Sequence, residues 1–463
     1  MSIEEKYQEQ LDYLYSFIDF SLTKNLRYSE EKFNLNRMVK FMDLLNNPHR
    51  EYPIIHVAGS KGKGSTSALI TSALIESGYK VGFYTSPHLH DFCERIRVNH
   101  QSISHEEFNN LVDELKPIIQ QVEGISTFEI STAMAFLYFL KQNVDFAVIE
   151  VGLGGRLDAT NVVSPLVSVI TSLSLDHIAV LGDTLSKIAM EKGGIIKHGR
   201  PVVVAPQKDE AKKVLQEIAA DRKADLIQVG SDYLYAAQSH NLVGQTFFVW
   251  PKEDQALVDT FINSGGREDW EPIRLYIPLL GFHQVQNAAT AYATLQVIKS
   301  SGVNIPQEKI VLGFKKVNWA GRFEVLNQKP VIVVDSAHNR ESALRLRHTI
   351  DDYFPGLPVV LIFGASEDKD IQGMLSELLP RVKVMVATKS YHPRSIEPEK
   401  LKEIASKFGT KCIVTKNIET ALITAEKIAG NEWVIIGAGS IFVAAGLREE
   451  FFKQYNQYPM QVK

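Results

Sequence analysis

The sequence predicts two α/β domains, each built on a mostly parallel sheet, the first with a small β insertion and the second Rossmann-like. Two series of short apolar runs separated by segments of helical spacing predict the sheets. A length of 463 residues exceeds what one core usually organises.

Residues 1–50 read as helical, with Tyr13, Leu14, Phe17 and Ile18, then Phe41, Leu44 and Leu45, at helical spacing. The first strand series follows at 53–58 (PIIHVA), 80–85 (KVGFYT), 146–151 (FAVIEV), 166–171 (LVSVIT) and 201–205 (PVVVA). From about Gln228 to Leu280, Tyr233, Tyr235, Phe247, Phe248 and Trp250 precede the turn Ser264-Gly265-Gly266, which predicts the β insertion. The second series lies at 331–335, 358–363, 382–387, 411–415 and 432–437, so the domains span 1–318 and 323–463 with a hinge within Lys316–Arg322.

Fifty basic and 54 acidic residues are well mixed and sum to −4, which argues against a general nucleic-acid or membrane-surface binder and for small-molecule partners. Cys93 and Cys412 are too few for a disulfide framework. The N-terminus lacks a basic segment followed by an apolar run, and no apolar stretch of about twenty residues occurs, which predicts a cytoplasmic protein.

The stretch HVAGSKGKGST (56–66) carries the chemistry. Gly59, Gly62 and Gly64 permit backbone conformations in which N–H groups converge on an anion, and a helix expected over 65–77 adds its positive end. The strict Walker A pattern fails, since Val57 stands five before Gly62 and Gly64 separates Lys63 from Ser65. Its parts are present in order, however, and an ordinary glycine-rich βα turn is the alternative. Gly152-Leu153-Gly154-Gly155-Arg156-Leu157 and Gly437-Ala438-Gly439 both miss the dinucleotide fingerprint.

If a triphosphate binds at the loop, Mg²⁺ needs oxygen ligands at neighbouring strand ends. Glu150 closes an apolar run and reads either as such a ligand or as the ion-pair partner of a base such as Arg156. Asp176-His177 follows the next strand, with imidazole an unusual Mg²⁺ ligand. Glu191-Lys192-Gly193-Gly194 reads from its residues as a helix end with a glycine cap.

Taken together, HVAGSKGKGS (56–65), YTSPHL (84–89), ERIRVN (94–99), TFEISTAMAF (127–136), EVGLGGRLDATN (150–161), LDHIAVLGDT (175–184), EKGGIIK (191–197), GFHQVQNAATA (281–291), WAGRFEV (319–325), DSAHN (335–339), HPRS (392–395) and GAGSIFVAAGLRE (437–449) span nearly the whole chain. In this order they resemble the Mur ligase superfamily, and within it the folylpolyglutamate synthases and the bifunctional dihydrofolate synthase/folylpolyglutamate synthases.

The resemblance implies a P-loop-type ATPase domain followed by a glutamate-ligase domain. It implies that Gly59, Ser60, Lys61, Gly62, Lys63, Gly64 and Ser65 hold ATP, with Asn287 at the adenine and Arg322 and Asp335 at the nucleotide. It implies that Ser65, Glu150 and His177 ligate Mg²⁺ and that Lys192 carries a carbamate ligating a second Mg²⁺. Ser86, Phe128, Arg156 and Asp158 match the pterin or folate site, His338 and Ser440 the glutamate site, and Lys63, Lys192, Asp335 and His338 the catalytic set. Ser60-Lys61, Gly193 and Ser336 depart from the usual family residues without removing a ligand or a charge.

The activity implied is ATP-driven amide formation between L-glutamate and the carboxylate of dihydropteroate or a reduced folate, by a cytoplasmic monomer. A monofunctional folylpolyglutamate synthase, a Mur-type ligase with another acceptor, and an ATP-binding relative without turnover are the alternatives.

Overall fold

The computed structural model describes residues 1–18 and 34–455; of the segment expected to be helical, 19–33 lie outside the described residues. Helices occupy Ile3–Tyr15 and Leu35–Leu44. By Cα packing the chain divides into two units, the first comprising Met1–Gln238, Thr246–Tyr276 and Val285–Val317. The second comprises Ser239–Gln245, Ile277–Gln284 and Asn318–Lys463.

The first unit is organised by β1 (Ile54–Ala58), β2 (Val81–Tyr84), β3 (Ile96–Val98), β4 (Gln101–Ser102), β5 (Phe146–Glu150), β6 (Val167–Ile170), β7 (Val202–Val204) and β8 (Leu226–Gln228). Among the described residues they form one sheet in the order β4-β3-β2-β5-β1-β6-β7-β8. Pairing is parallel from β2 to β8, and the β2–β3–β4 edge is antiparallel. The central strands are apolar runs because both faces are covered, and every residue of β1, β5 and β6 is buried. One face packs Tyr84, Ala147 and Ile149 against helix residues such as Phe108, Leu115 and Phe136. The other packs Ala58, Ile170, Val202 and Val204 against Ile195, Ile196 and Leu215.

Helix Lys63–Glu76 is buried almost all round and lies tightly on helix Gln307–Lys316. A Cβ on Gly313 would come 2.5 Å from Ala73 Cα, and Ser72 Oγ donates to the Gly313 carbonyl at 2.7 Å. Gly78, at φ +94°, follows the end of the helix, as the sequence predicts. The β insertion is a three-stranded sheet of β9 (Tyr233–His240), β10 (Gln245–Pro251) and β11 (Ile273–Ile277), with β10 central.

The second unit holds β12 (Glu324–Gln328), β13 (Val331–Val334), β14 (Val359–Phe363), β15 (Val384–Ala387), β16 (Lys411–Val414) and β17 (Val434–Ala438), ordered β12-β13-β17-β14-β15-β16. Pairing is parallel apart from the β12 edge. Alternation along the strands sorts the core: Val333, Leu361 and Phe363 enter one apolar layer, while Ile332, Val334, Val360 and Ile362 enter the other.

The amino-terminal helix is fastened by charge as well as by apolar packing. His105 presents Nδ1 to Glu4 and Nε2 to Asp91, each at 2.9 Å, and its ring stacks on Tyr7 with centroids 3.7 Å apart. Burial opposes charge on His105, but hydrogen bonds to Glu4 and Asp91 outweigh it and raise its pKa above 6.5. Because the folded value is raised, this contribution is complete below the unfolded pKa and is lost as pH climbs through the folded one. In urea unfolding, wild type should lose up to about 1 kcal/mol more than His105→Gln between about pH 6 and pH 9. Equal losses would show that the clamp contributes nothing.

Candidate active site

Parallel register sets three strand ends level in the first unit. Val57 pairs with Glu150 and Ala58 with Ile170, so the loops leaving β1, β5 and β6 emerge side by side at a topological switch point. Gly59 takes φ +154° and Gly62 φ +89°. A Cβ on Gly59 would fall 1.8 Å from Thr171 Oγ1, and one on Gly62 would fall 2.2 Å from Asn287 Oδ1. Gly64 is already the second residue of the helix, which starts at Lys63 and not at Ser65. The helix amino end, the glycine turn and Asn287 therefore meet, although Asn287 is far away in sequence.

Charged side chains converge on the same place. Lys63 Nζ lies 3.8 Å from Glu150 Oε1, and Lys61 Nζ lies 2.8 Å from Asp176 Oδ2. Glu150 is 5% exposed and Lys192 4%. Arg156 pairs with Glu191 through Nε at 3.0 Å and Nη2 at 2.9 Å. Ser65 is buried in the first turn of the helix. His177 adopts φ +50°, is exposed, and has Nε2 3.9 Å from Asp176 Oδ1.

Lys192 Nζ approaches the Gly154 carbonyl at 3.4 Å. Burial, reinforced by the Lys63 charge and opposed by Asp176 and Asp158, lowers its pKa to about 7. A large neutral fraction at neutral pH follows, which is the form that adds carbon dioxide. The helix does end here, as the sequence predicts, at Gly193 with Gly194 as its C-cap, but Gly194 is right-handed at φ −56°, so its glycine is not required by a left-handed cap. Gly194 and Gly155 permit close approach instead. A Cβ on Gly194 would lie 2.5 Å from Arg156 Cα, and one on Gly155 would lie 2.8 Å from the Glu191 carbonyl oxygen.

Phe128 is the second residue of helix Thr127–Lys141, whose amino end is closed by a Ser126/Glu129 capping box. Its ring lies over Gly152, where a Cβ would come within 2.4 Å, and tilts against Tyr84 with centroids 6.2 Å apart. Ser86 precedes a cis bond to Pro87. Asp158 is buried, and its oxygens accept from Leu153 N at 2.8 Å, Thr160 N at 3.0 Å and the Thr160 hydroxyl. Burial raises its pKa against those bonds. Sequence reasoning missed the next link, a buried His56 whose Nε2 meets Thr160 Oγ1 at 2.8 Å. A histidine in the middle of an apolar strand was the available signal.

In the second unit, Asp335 follows β13 and Ser440 follows β17, adjacent parallel strands. Asp335 accepts from Phe323 N and Ala337 N, each at 2.8 Å, and Gly439 N donates to the Ala337 carbonyl at 3.0 Å. His338 Nδ1 lies 2.9 Å from the Ser336 carbonyl, which orients the ring. Ser440 caps helix Ile441–Gln454. Arg322 Nη1 donates to the Gly321 carbonyl at 3.2 Å.

The Ser65 hydroxyl in the first helical turn and the buried Glu150 carboxylate with an ammonium beside it are oxygen donors of the kind a hard divalent cation takes, while the His177 imidazole, on the turn after β6, is a softer one. Two families match the chain, the Mur ligase middle domain over residues 57–295 and the Mur ligase glutamate ligase domain over residues 321–441. The chain belongs to the Mur ligase family. This Mur ligase is 35% identical over 425 residues to the dihydrofolate synthase/folylpolyglutamate synthase of Bacillus subtilis (strain 168), covering 90% of this chain and 95% of the relative. The Mycobacterium tuberculosis folylpolyglutamate synthase complexed with ADP shares its fold at TM-score 0.84 and 28% identity, over 97% of this chain and 99% of that one. An FPGS–AMPPCP–folate complex follows at TM-score 0.78 and 29% identity, over 96% and 98%.

The Gly62–Asn287 contact is directly testable. Gly62→Ala should destabilise this Mur ligase by about 1–2 kcal/mol through backbone strain alone, with the clash added. Asn287→Ala in the same chain should recover the clash component and leave the strain, as read by urea unfolding of the two single variants and the double variant. Simple additivity of the two substitutions would contradict the contact.

Proposed function

We propose that this chain is an ATP-dependent ligase that joins the amino group of L-glutamate to the carboxylate of dihydropteroate and of reduced folates, acting as a cytoplasmic monomer. Among the described residues no helix is long and apolar enough to cross a membrane. The observation that carries the reading is the level placement of the glycine loop, Lys63 and Glu150 beside a buried, low-pKa Lys192. The chain also matches, nearly end to end, a relative named for both activities.

A carboxylate is a poor electrophile, so the γ-phosphoryl group of ATP is first transferred to it, giving an acyl phosphate and ADP. The loop amides of Gly62 and Gly64 and the Lys63 ammonium receive the phosphates, adding fixed positive charge where negative charge develops. Gly59 and Ser65 complete that cradle, and Ser60, whose N–H and hydroxyl donate to the Ser172 and Ser174 carbonyls, shapes the loop around it. Asn287 contacts the adenine, and Arg322 and Asp335 serve the nucleotide. Ser65, Glu150 and His177 would hold one Mg²⁺ and carbamylated Lys192 a second, and these ions, when bound, neutralise charge on the transferring group.

Phe128 supplies an aromatic face for the pterin, with Ser86 and Arg156 beside it. Asp158, whose oxygens also accept from Leu153 and Thr160 and so order the loop that carries Arg156, offers its carboxylate to the N–H edge of the pterin. His338 and Ser440 engage glutamate, whose amine attacks the acyl carbon, and the tetrahedral intermediate expels phosphate.

Purified protein with Mg-ATP and L-glutamate should release phosphate with dihydropteroate and with tetrahydrofolate, and Lys63→Ala should slow both about a hundredfold or more. Release with tetrahydrofolate alone reduces the enzyme to a folylpolyglutamate synthase. Silence with both, in protein that binds ATP, removes the folate assignment.

Carbamylation has its own readout. With ¹³C-bicarbonate, the protein should show a carbamate carbon resonance that Lys192→Arg abolishes along with turnover. An unchanged spectrum in the variant would refute the carbamate.

A further inference from the structure

We propose that Lys61 is a positioning residue. Through its ion pair with Asp176 it holds residues 172–177 against the glycine loop and so presents His177 to the metal, and it does not itself bind the nucleotide phosphates. The proposal rests on the ligand set put forward above and gives the loop's two lysines different tasks.

Lys63, the first helical residue, faces Glu150 at the end of β5. Lys61 turns to the other neighbour of β1. Ser60 N and Lys61 N both donate to the Ser172 carbonyl at 3.0 Å, Ser60 Oγ donates to the Ser174 carbonyl at 3.0 Å, and Thr171 Oγ1 donates to the Ala58 carbonyl at 3.2 Å. These bonds join the segment leaving β1 to the one leaving β6, and the Lys61–Asp176 pair at 2.8 Å lies at the far end of the series.

Both side chains of that pair are largely buried, at 12% and 9% exposure. The other oxygen of Asp176 accepts the backbone N–H of His177 at 3.1 Å. One carboxylate therefore links the Lys61 ammonium to a residue at φ +50°, a conformation that non-glycine residues keep only when their surroundings enforce it. Without the ammonium, Asp176 is a buried charge lacking this partner, and the turn that carries His177 loses its anchor.

The test uses ADP binding by the full-length chain, measured calorimetrically in EDTA and across a Mg²⁺ titration. Lys61→Met should leave Mg²⁺-free ADP affinity within about twofold, while the Mg²⁺ concentration for half-maximal enhancement rises about 10–100-fold. Asp176→Asn should give the same rise, the double variant should be no worse than either single one, and Lys61→Arg should recover most of the loss. Hydrogen exchange over residues 172–182 should quicken in Lys61→Met. If Lys61→Met instead weakens Mg²⁺-free ADP tenfold or more with its Mg²⁺ dependence unchanged, Lys61 is a phosphate contact and the proposal fails. If wild type shows no Mg²⁺ dependence, the ligand set itself is wrong. Unchanged exchange in Lys61→Met would separately overturn the anchoring role.

Discussion

The parallel register of β1 between β5 and β6 is the constraint on which the candidate site depends. Val57 opposite Glu150 and Ala58 opposite Ile170 bring a glycine loop, a carboxylate and the Asp176-His177 turn to one level. Because side chains alternate along a strand, a slip of one residue would reverse the faces of an entire apolar run. The cores on both faces of the sheet therefore protect the register, and the register places the chemistry. The second unit follows the same logic, with Asp335 and Ser440 leaving adjacent parallel strands.

What this arrangement must tolerate is charge out of water. Lys61, Lys63 and Lys192 share a small volume with Glu150, Asp158 and Asp176, all largely buried. Buried ions add little net stability even when paired, because desolvation offsets their attraction. Their value lies in what they leave ready. Lys61 with Asp176 and Lys63 with Glu150 are close pairs, Asp158 accepts from two backbone N–H groups and the Thr160 hydroxyl, and Lys192 meets the cost of burial with a lowered pKa.

Glycine supplies the remaining geometry, in two distinct ways. Gly59 and Gly62 use positive φ to form the loop. Gly152, Gly155 and Gly194 are there for proximity, letting Phe128, the Lys192 helix and Arg156 come closer than any side chain would permit. The sequence EKGGIIK is a helix end, yet its letters hide why Gly194 is glycine, since a glycine needed for contact and one needed for its dihedral angle read alike. Two edge strands were illegible for a different reason. β8 and β12, Leu226–Gln228 and Glu324–Gln328, are at most partly buried, so they lack the continuous apolar signal that revealed the central strands.

By itself, the sequence determined the two sheets and the phosphate-type loop, because buried parallel strands require apolar runs and a tight βα turn requires glycine, whereas the candidate ligands came from the family resemblance. Only the tertiary structure decided which charges are partners. Lys61 and Lys63 sit two residues apart in one loop, and nothing local distinguishes them, yet one faces the acid beyond β6 and the other the acid ending β5. Strand order made that choice. The same holds for Asn287 against Gly62 and for His56 behind Asp158 through Thr160. A contact between distant segments follows from how the sheet is assembled, whereas local propensity acts only over neighbouring residues.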